Sequence, residues 1–177
     1  CYTVNVTDAT GCQVSEEICL QAPQVITLFV STPSDSNGLF DLSCNGASDG
    51  SISLTASGGT PDCVSFAPEC YFIEWSVDVT EFGNDANAAF ITGLPGGTYA
   101  VNVTDANGCL ATTTINLTEP DPITSNAIIT PISCFGENDG TITPNISGGS
   151  GVIVNYLWSP SVSPNANDAA TLTNLDP

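Results

Sequence analysis

The chain repeats itself. Tyr2-Thr3-Val4-Asn5-Val6-Thr7-Asp8-Ala9-Thr10-Gly11-Cys12 returns 97 positions later as Tyr99-Ala100-Val101-Asn102-Val103-Thr104-Asp105-Ala106-Asn107-Gly108-Cys109. A second pair lies 90 positions apart: Ser43-Cys44-Asn45-Gly46 with Asp49-Gly50-Ser51-Ile52, against Ser133-Cys134-Phe135-Gly136 with Asp139-Gly140-Thr141-Ile142. A period of that size is a whole domain, too long for one turn of a solenoid. The fold of one unit must therefore follow itself head to tail, and the sequence reads as a window on a tandem array. Ala22-Pro23 and Glu119-Pro120-Asp121-Pro122 stand at matching places after the last strand of a unit. Residues 1–22 are then the closing hairpin of a truncated first unit, 23–119 a complete second unit, and 120–177 the opening part of a third. A lone hairpin is marginal in water, so residues 1–22 call for a further sheet to lean on.

Within a unit the apolar residues alternate with period two, and Gly, Pro, Asn and Asp separate the runs. The clearest element is a hairpin over 98–117 turning at Asp105-Ala106-Asn107-Gly108, with Tyr99, Val101 and Val103 on one face. Strands are predicted over 25–31, 40–44, 51–56, 71–77, 88–91, 98–104 and 110–117. Seven short strands with turn signals about every ten residues predict an all-β fold of tandem immunoglobulin-like antiparallel β-sandwiches. Trp75 falls where such folds bury a strand-C aromatic, and Tyr99 near the start of strand F.

Composition removes whole classes of function. The chain has no Lys, Arg or His against 19 Asp plus Glu. Without cations it cannot neutralise phosphates, which excludes nucleic acid and direct insertion into anionic membranes as partners. Without imidazole or lysine there is no Ser-His or Cys-His pair, no histidine metal site and no Schiff base. Glu69 and Glu74 are the nearest approach to a glycosidase pair, but odd spacing puts them on opposite faces of a strand. The chain is read as a non-enzyme, with no catalytic or cofactor-binding residues.

Eight cysteines in a β-patterned chain without Cys-x-x-Cys point to disulfides and an oxidising compartment. Cys1 aligns with Thr98 and Cys19 with Asn116, opposite positions of one hairpin, which predicts an outward Cys1–Cys19 bridge. Cys44 shares the parity of Leu42, and Cys109 that of Ala111 and Ile115. A bond between Cys44 and Cys109 is therefore expected to staple the core, contributing about 4 kcal/mol. Cys12 and Cys134 are then unpaired here. Cys63 and Cys70 fall within or beside a seven-residue insertion, found by comparing the Gly59 to Trp75 spacing with that of Gly149 to Trp158. They are expected to pinch it shut.

Calcium is the one cofactor the residues raise. Asp105-Ala106-Asn107-Gly108 carries oxygen ligands at alternate positions, but no twelfth-position glutamate follows and the turn reading takes precedence. Glu119 and Asp121 flank Pro120 at a unit junction, where a solvated linker is the simpler reading. Asn5, Asn102, Asn116 and Asn145 begin Asn-x-Ser/Thr triplets, incidental in a Thr- and Asn-rich chain.

The spaced set Cys-x-Gly-x-x-Asp-Gly-x-Ile (44–52), Ser-Gly-Gly (57–59), aromatic-x-x-Trp (72–75), Gly-Leu-x-x-Gly-x-Tyr (93–99) and Val-x-Val-Thr-Asp-x-x-Gly-Cys (101–109) resembles the SprB repeat. The likeness covers the second unit, the end of the first, and the third through Trp158. It implies a surface adhesin or filament of the kind gliding bacteria export by type IX secretion, at the bacterial cell surface. The implied partners are neighbouring repeats, surface polysaccharide or other filament subunits. The Cys1–Cys19 pair and the clamped insertion depart from the pattern. The rival reading is a carbohydrate- or calcium-dependent binding module with the insertion as its tip.

Overall fold

The structure, a computed structural model, describes residues 1–33, 38–151, 153, 155–159 and 170–175. Strands β1 (Tyr2–Thr7) and β2 (Gln13–Ile18) form an antiparallel hairpin with Tyr2 opposite Ile18 and Val6 opposite Val14. Two three-stranded antiparallel sheets follow. The first comprises β3 (Thr27–Ser31), β4 (Gly50–Ser57) and a third strand, Phe90–Leu94, with β4 in the middle. The second comprises β5 (Phe72–Trp75), β7 (Gly97–Thr104) and β8 (Leu110–Leu117), with β7 in the middle; Phe90–Leu94 is accordingly β6.

The two sheets share one core. Ile52 and Leu54 of β4 and Ile91 and Leu94 of β6 pack in one cluster with Ile73, Tyr99, Val101, Val103, Ile115 and Leu117 of the second sheet. Leu42, Tyr71 and Val79 close it from the connections. This is the all-β sandwich the alternation predicts, in the A-B-E and C-F-G grouping of immunoglobulin-like folds. The Tyr99 hydroxyl donates to the Pro95 carbonyl at 2.8 Å, fixing the corner before β7. Trp75 is half-buried and its Nε1 donates to the Ala88 carbonyl at 3.0 Å.

Two expectations about strands are corrected. Residues 40–44 are not a strand. The N–H groups of Asp41 and Leu42 both go to the Thr118 carbonyl, and that of Ser43 to the Asp49 carboxylate. With its donors taken by a strand end and a side chain, the segment turns inward instead of joining a ladder, leaving six strands in the two sheets. The strand expected over 88–91 pairs over Phe90–Leu94, after a 3-10 turn (Val79–Phe82) capped by Asp78 and closed by Gly83 at φ +80°.

Residues 124–147 rebuild the β3–β4 pairing. Strands β9 (Thr124–Ser125), β10 (Ile128–Thr130), β11 (Gly140–Thr143) and β12 (Ile146–Ser147) place Thr124 opposite Ser147 as Thr27 lies opposite Ser57. The ladder is interrupted at Pro144, which has no N–H to give. Strand β13 (Leu172–Leu175) pairs Leu175 with Gly140, as Leu94 pairs with Gly50. Asn174 takes φ +58° where Gly93 takes +73°, so the backbone bend survives a change of residue.

Candidate functional site

The features common to the repeats collect at the two ends of the module, so its ends are the candidate site. The leading end begins where the chain enters β3. The Gly59 N–H donates to the Gln24 carbonyl at 2.8 Å. A Cβ on Gly58, at φ +87°, would lie 2.1 Å from the Val25 carbonyl oxygen, so only glycine permits this approach. Thr60 then meets the β7–β8 turn. Its N–H donates to Asp105 Oδ2 at 2.8 Å, its carbonyl accepts from Ala106, and its hydroxyl accepts from Asn107 Nδ2 at 2.9 Å.

Asp105 is the buried centre of this end, 2% exposed. Its Oδ1 accepts from the N–H groups of Asn107 (2.9 Å) and Cys109 (2.8 Å). The Thr60 N–H, outweighing the opposing effect of burial, holds its carboxyl below the usual value, and the Cys109 and Asn107 N–H groups add to this. The carboxylate is thus occupied as a turn brace. In the first hairpin Asp8 receives Thr10 and Cys12 in the same way, with the Thr10 hydroxyl the main cause of its lowered pKa.

The trailing end gathers where β8 runs out. Thr118 donates its N–H and hydroxyl to Asp41 Oδ2 at 2.8 and 2.7 Å. Burial pushes the Asp41 carboxyl up, but bonds from Thr118 and Thr32 outweigh it and leave the pKa lowered. Glu119 Oε2 accepts the Gly46 N–H at 2.9 Å and Oε1 accepts Asn45 Nδ2 at 3.3 Å; the same amide donates to the Pro120 carbonyl at 3.0 Å. Pro120 itself is fully buried. Asp121 differs: its side chain is exposed, and its carbonyl accepts from Gly149 at 2.8 Å. Glu119 and Asp121 are therefore not brought together as a ligand pair. Among the described residues one cluster has the proximity of a metal site, Cys1, Glu17 and Cys19, and its sulfurs are joined to each other.

Of the cysteines, Cys1 is bonded to Cys19 across the first hairpin, and Cys63 to Cys70 across the insertion. Thr98 and Asn116, at the matching place in the second hairpin, are joined by a hydrogen bond of 3.1 Å. The core staple is corrected: Cys44 and Cys109 are both free and exposed. Cys44 opens the turn braced by Glu119, beyond one end of β8, and Cys109 precedes the other end. Eight strand residues at about 3.3 Å each separate them, roughly 26 Å against the less than about 7 Å a disulfide needs. Parity gave residue 109 the inward side, but Cys109 lies before β8 and is exposed, and burial fades toward it along that face, from buried Leu117 and Ile115 to half-buried Thr113 and Ala111. Cys12 and Cys134 are also free and exposed, in turns matching those of Cys109 and Cys44.

The insertion forms a clamped turn in which Asp62 accepts from the Val64 and Ser65 N–H groups at 3.0 and 3.1 Å. Beside it runs a cleft lined by Phe66, Glu69, Tyr71, Phe72, Asp85 and Asn87, among others. Glu69 lines this cleft while Glu74 is exposed on β5, so the two carboxylates do not face one reaction centre.

The model of the SprB repeat family matches residues 40–62 and 126–163. Both segments are similar to the SprB repeat. The first match takes in the trailing-end turn and runs through β4 to the residue before the clamped insertion; the second begins at the corresponding sheet of the next repeat. Comparison with curated proteins and with solved structures gave no match. SprB repeats occur in cell-surface proteins, and the two disulfides fit an extracellular setting.

Proposed function

We propose that the chain is a structural and adhesive segment of a long fibre on a bacterial cell surface, of the kind gliding bacteria export by type IX secretion. The observation that carries this reading is the identical construction of successive leading ends. Gly149 donates to the Asp121 carbonyl as Gly59 does to Gln24, both at 2.8 Å. Gly148 approaches Pro122 as closely as Gly58 approaches Val25, each leaving 2.1 Å for a Cβ. The two leading ends are thus built alike; buried Pro120 and Glu119, held by Asn45 and Gly46, stiffen the joint after residue 119, where the preceding joint has Ala22 and an exposed Pro23.

Such a strand carries tension through its ladders and covalent loops. A net charge of -19 keeps like-charged repeats apart, and the absence of Lys and Arg leaves trypsin-like proteases no cleavage site. Antibodies against residues 23–119 should label intact cells of the source bacterium and lose that label after surface proteolysis with a protease of broad specificity. Labelling only after permeabilisation would overturn the reading. The cleft beside the insertion supports a second reading, carbohydrate binding, because it offers aromatic faces beside carboxylate and amide groups. A specific glycan-array signal that Phe66→Ala abolishes would favour it; silence favours the fibre spacer.

A further inference from the structure

Four thiols are left without partners, and their positions obey one rule. Cys12 and Cys109 sit in the Asp-x-x-Gly-Cys turn at the leading end of a repeat. Cys44 and Cys134 sit in the Ser-Cys-x-Gly turn at the trailing end. No repeat can close this pair on itself, because β8 stands between its members. A neighbouring repeat can. Cys44 and Asn45 share a cleft with Asp121, Pro122, Ile123, Gly149 and Ser150 of the next repeat. Ser150 holds the place of Thr60, and Thr60 is the residue on which the Asp105–Cys109 turn rests. The trailing cysteine of one repeat therefore borders the seat of the next repeat's turn cysteine.

We propose that consecutive repeats of this chain are joined by a disulfide between the trailing-end cysteine of one (Cys44 or Cys134) and the turn cysteine (Cys109 or Cys12) of the next. The proposal rests on the tandem arrangement, not on the cell-surface location. Two thiols give up two protons and two electrons as the S–S bond forms. The acceptor is the disulfide of an external thiol–disulfide oxidoreductase or of an oxidised small thiol, which is reduced to two thiols by exchange. The bond would bridge each joint in parallel with the main chain, so that tension on a linker such as Pro120-Asp121-Pro122 is shared by a covalent strap.

Two proteins test this. In the first, Ser150→Cys places a thiol at the seat itself. After equilibration with a glutathione couple, a digest at glutamates analysed without reduction should show Cys44 bridged to position 150. In the second, two copies of the chain are joined through a single glycine. Leu175 holds the register of Leu94 and Cys1 that of Thr98, so this glycine completes the third repeat in phase. Cys44 of the first copy should then bridge to Cys12 of the second, and Cys134 of the first to Cys109 of the second, with loss of alkylation at all four. Cys44 free and alkylatable in the Ser150→Cys protein and in both copies of the joined protein, or Cys44 bridged to Cys109 of its own repeat, overturns the proposal. The Cys1–Cys19 and Cys63–Cys70 bridges in the same digests report correct folding. An extended shape in X-ray scattering with unbridged Cys44 would leave the fibre reading standing while removing the strap.

Discussion

Replacing Leu42 by alanine tests how the trailing end is held. Leu42 is fully buried although it lies in no strand, and it is fixed by the paired donation of Asp41 and Leu42 N–H groups to Thr118. Its Cδ1 would lie 3.3 Å from a Cβ built on Gly50, so β4 already packs closely on it. Buried Leu→Ala changes cost about 2–5 kcal/mol, the larger values arising where neighbours cannot collapse into the space. Anchored between a strand end and a sheet, this site should cost about 3 kcal/mol. At about 4–8 °C per kcal/mol for a domain of this size, the transition of residues 23–119 should fall by roughly 12–24 °C. Differential scanning calorimetry of the full chain reads this, with Phe135→Ala as the control. The Phe135 ring is wholly exposed and its loss should change stability by no more than about 0.5 kcal/mol. A loss below about 1 kcal/mol for Leu42→Ala would refute the packing of this turn on the core, and with it the description of the joint.

Acid should loosen the turns. Asp8, Asp49 and Asp139 are held below the usual carboxylate value chiefly by the hydroxyls of Thr10, Ser43 and Ser133, and Asp105 chiefly by the Thr60 N–H. Because folding lowers these pKa values, their stabilisation is present above the unfolded value of about 3.9 and is lost as pH falls through the folded values. Thermal melts at 0.15 M salt should drop below about pH 4, where screening over about 8 Å already limits the opposing relief of charge repulsion. Asp105→Asn should lower the melting temperature at pH 7 and flatten that acid drop, since its amide would oppose the Thr60 N–H; an unchanged melt would remove Asp105 as a brace. Tyr99→Phe, which deletes the bond to the Pro95 carbonyl, should cost about 1 kcal/mol in urea unfolding, and no change would discount the corner. A calcium chelator should leave the melting temperature unchanged, because both Glu119 oxygens already accept bonds from Asn45 and Gly46; a marked fall would revive the junction site.

Local pattern was enough to place the hairpins and their registers. Residues opposite one another across a tight turn are fixed by the turn itself, so the facing of Cys1 and Cys19, and of Thr98 and Asn116, could be read from spacing alone. The repeat offsets likewise carried over to the observed pairing of Thr124 with Ser147. Parity told which side of a strand a residue takes. It did not tell how deep the core runs along that side, nor toward which end of the module a connection leads. Hence Cys109, inward by parity, lies exposed beyond the last buried layer, and residues 40–44 fold back onto Thr118 instead of pairing. Tyr2, Val4 and Val6 repeat Tyr99, Val101 and Val103, yet the first three are 70%, 45% and 55% exposed and the second three 4%, 1% and 0%. Alternation determined that such a strand has an apolar face. Only contacts from residues far along the chain, Ile52, Leu54, Ile91 and Leu94 of the other sheet, decided that β7 buries it, because a sheet has no interior until a second one is laid against it.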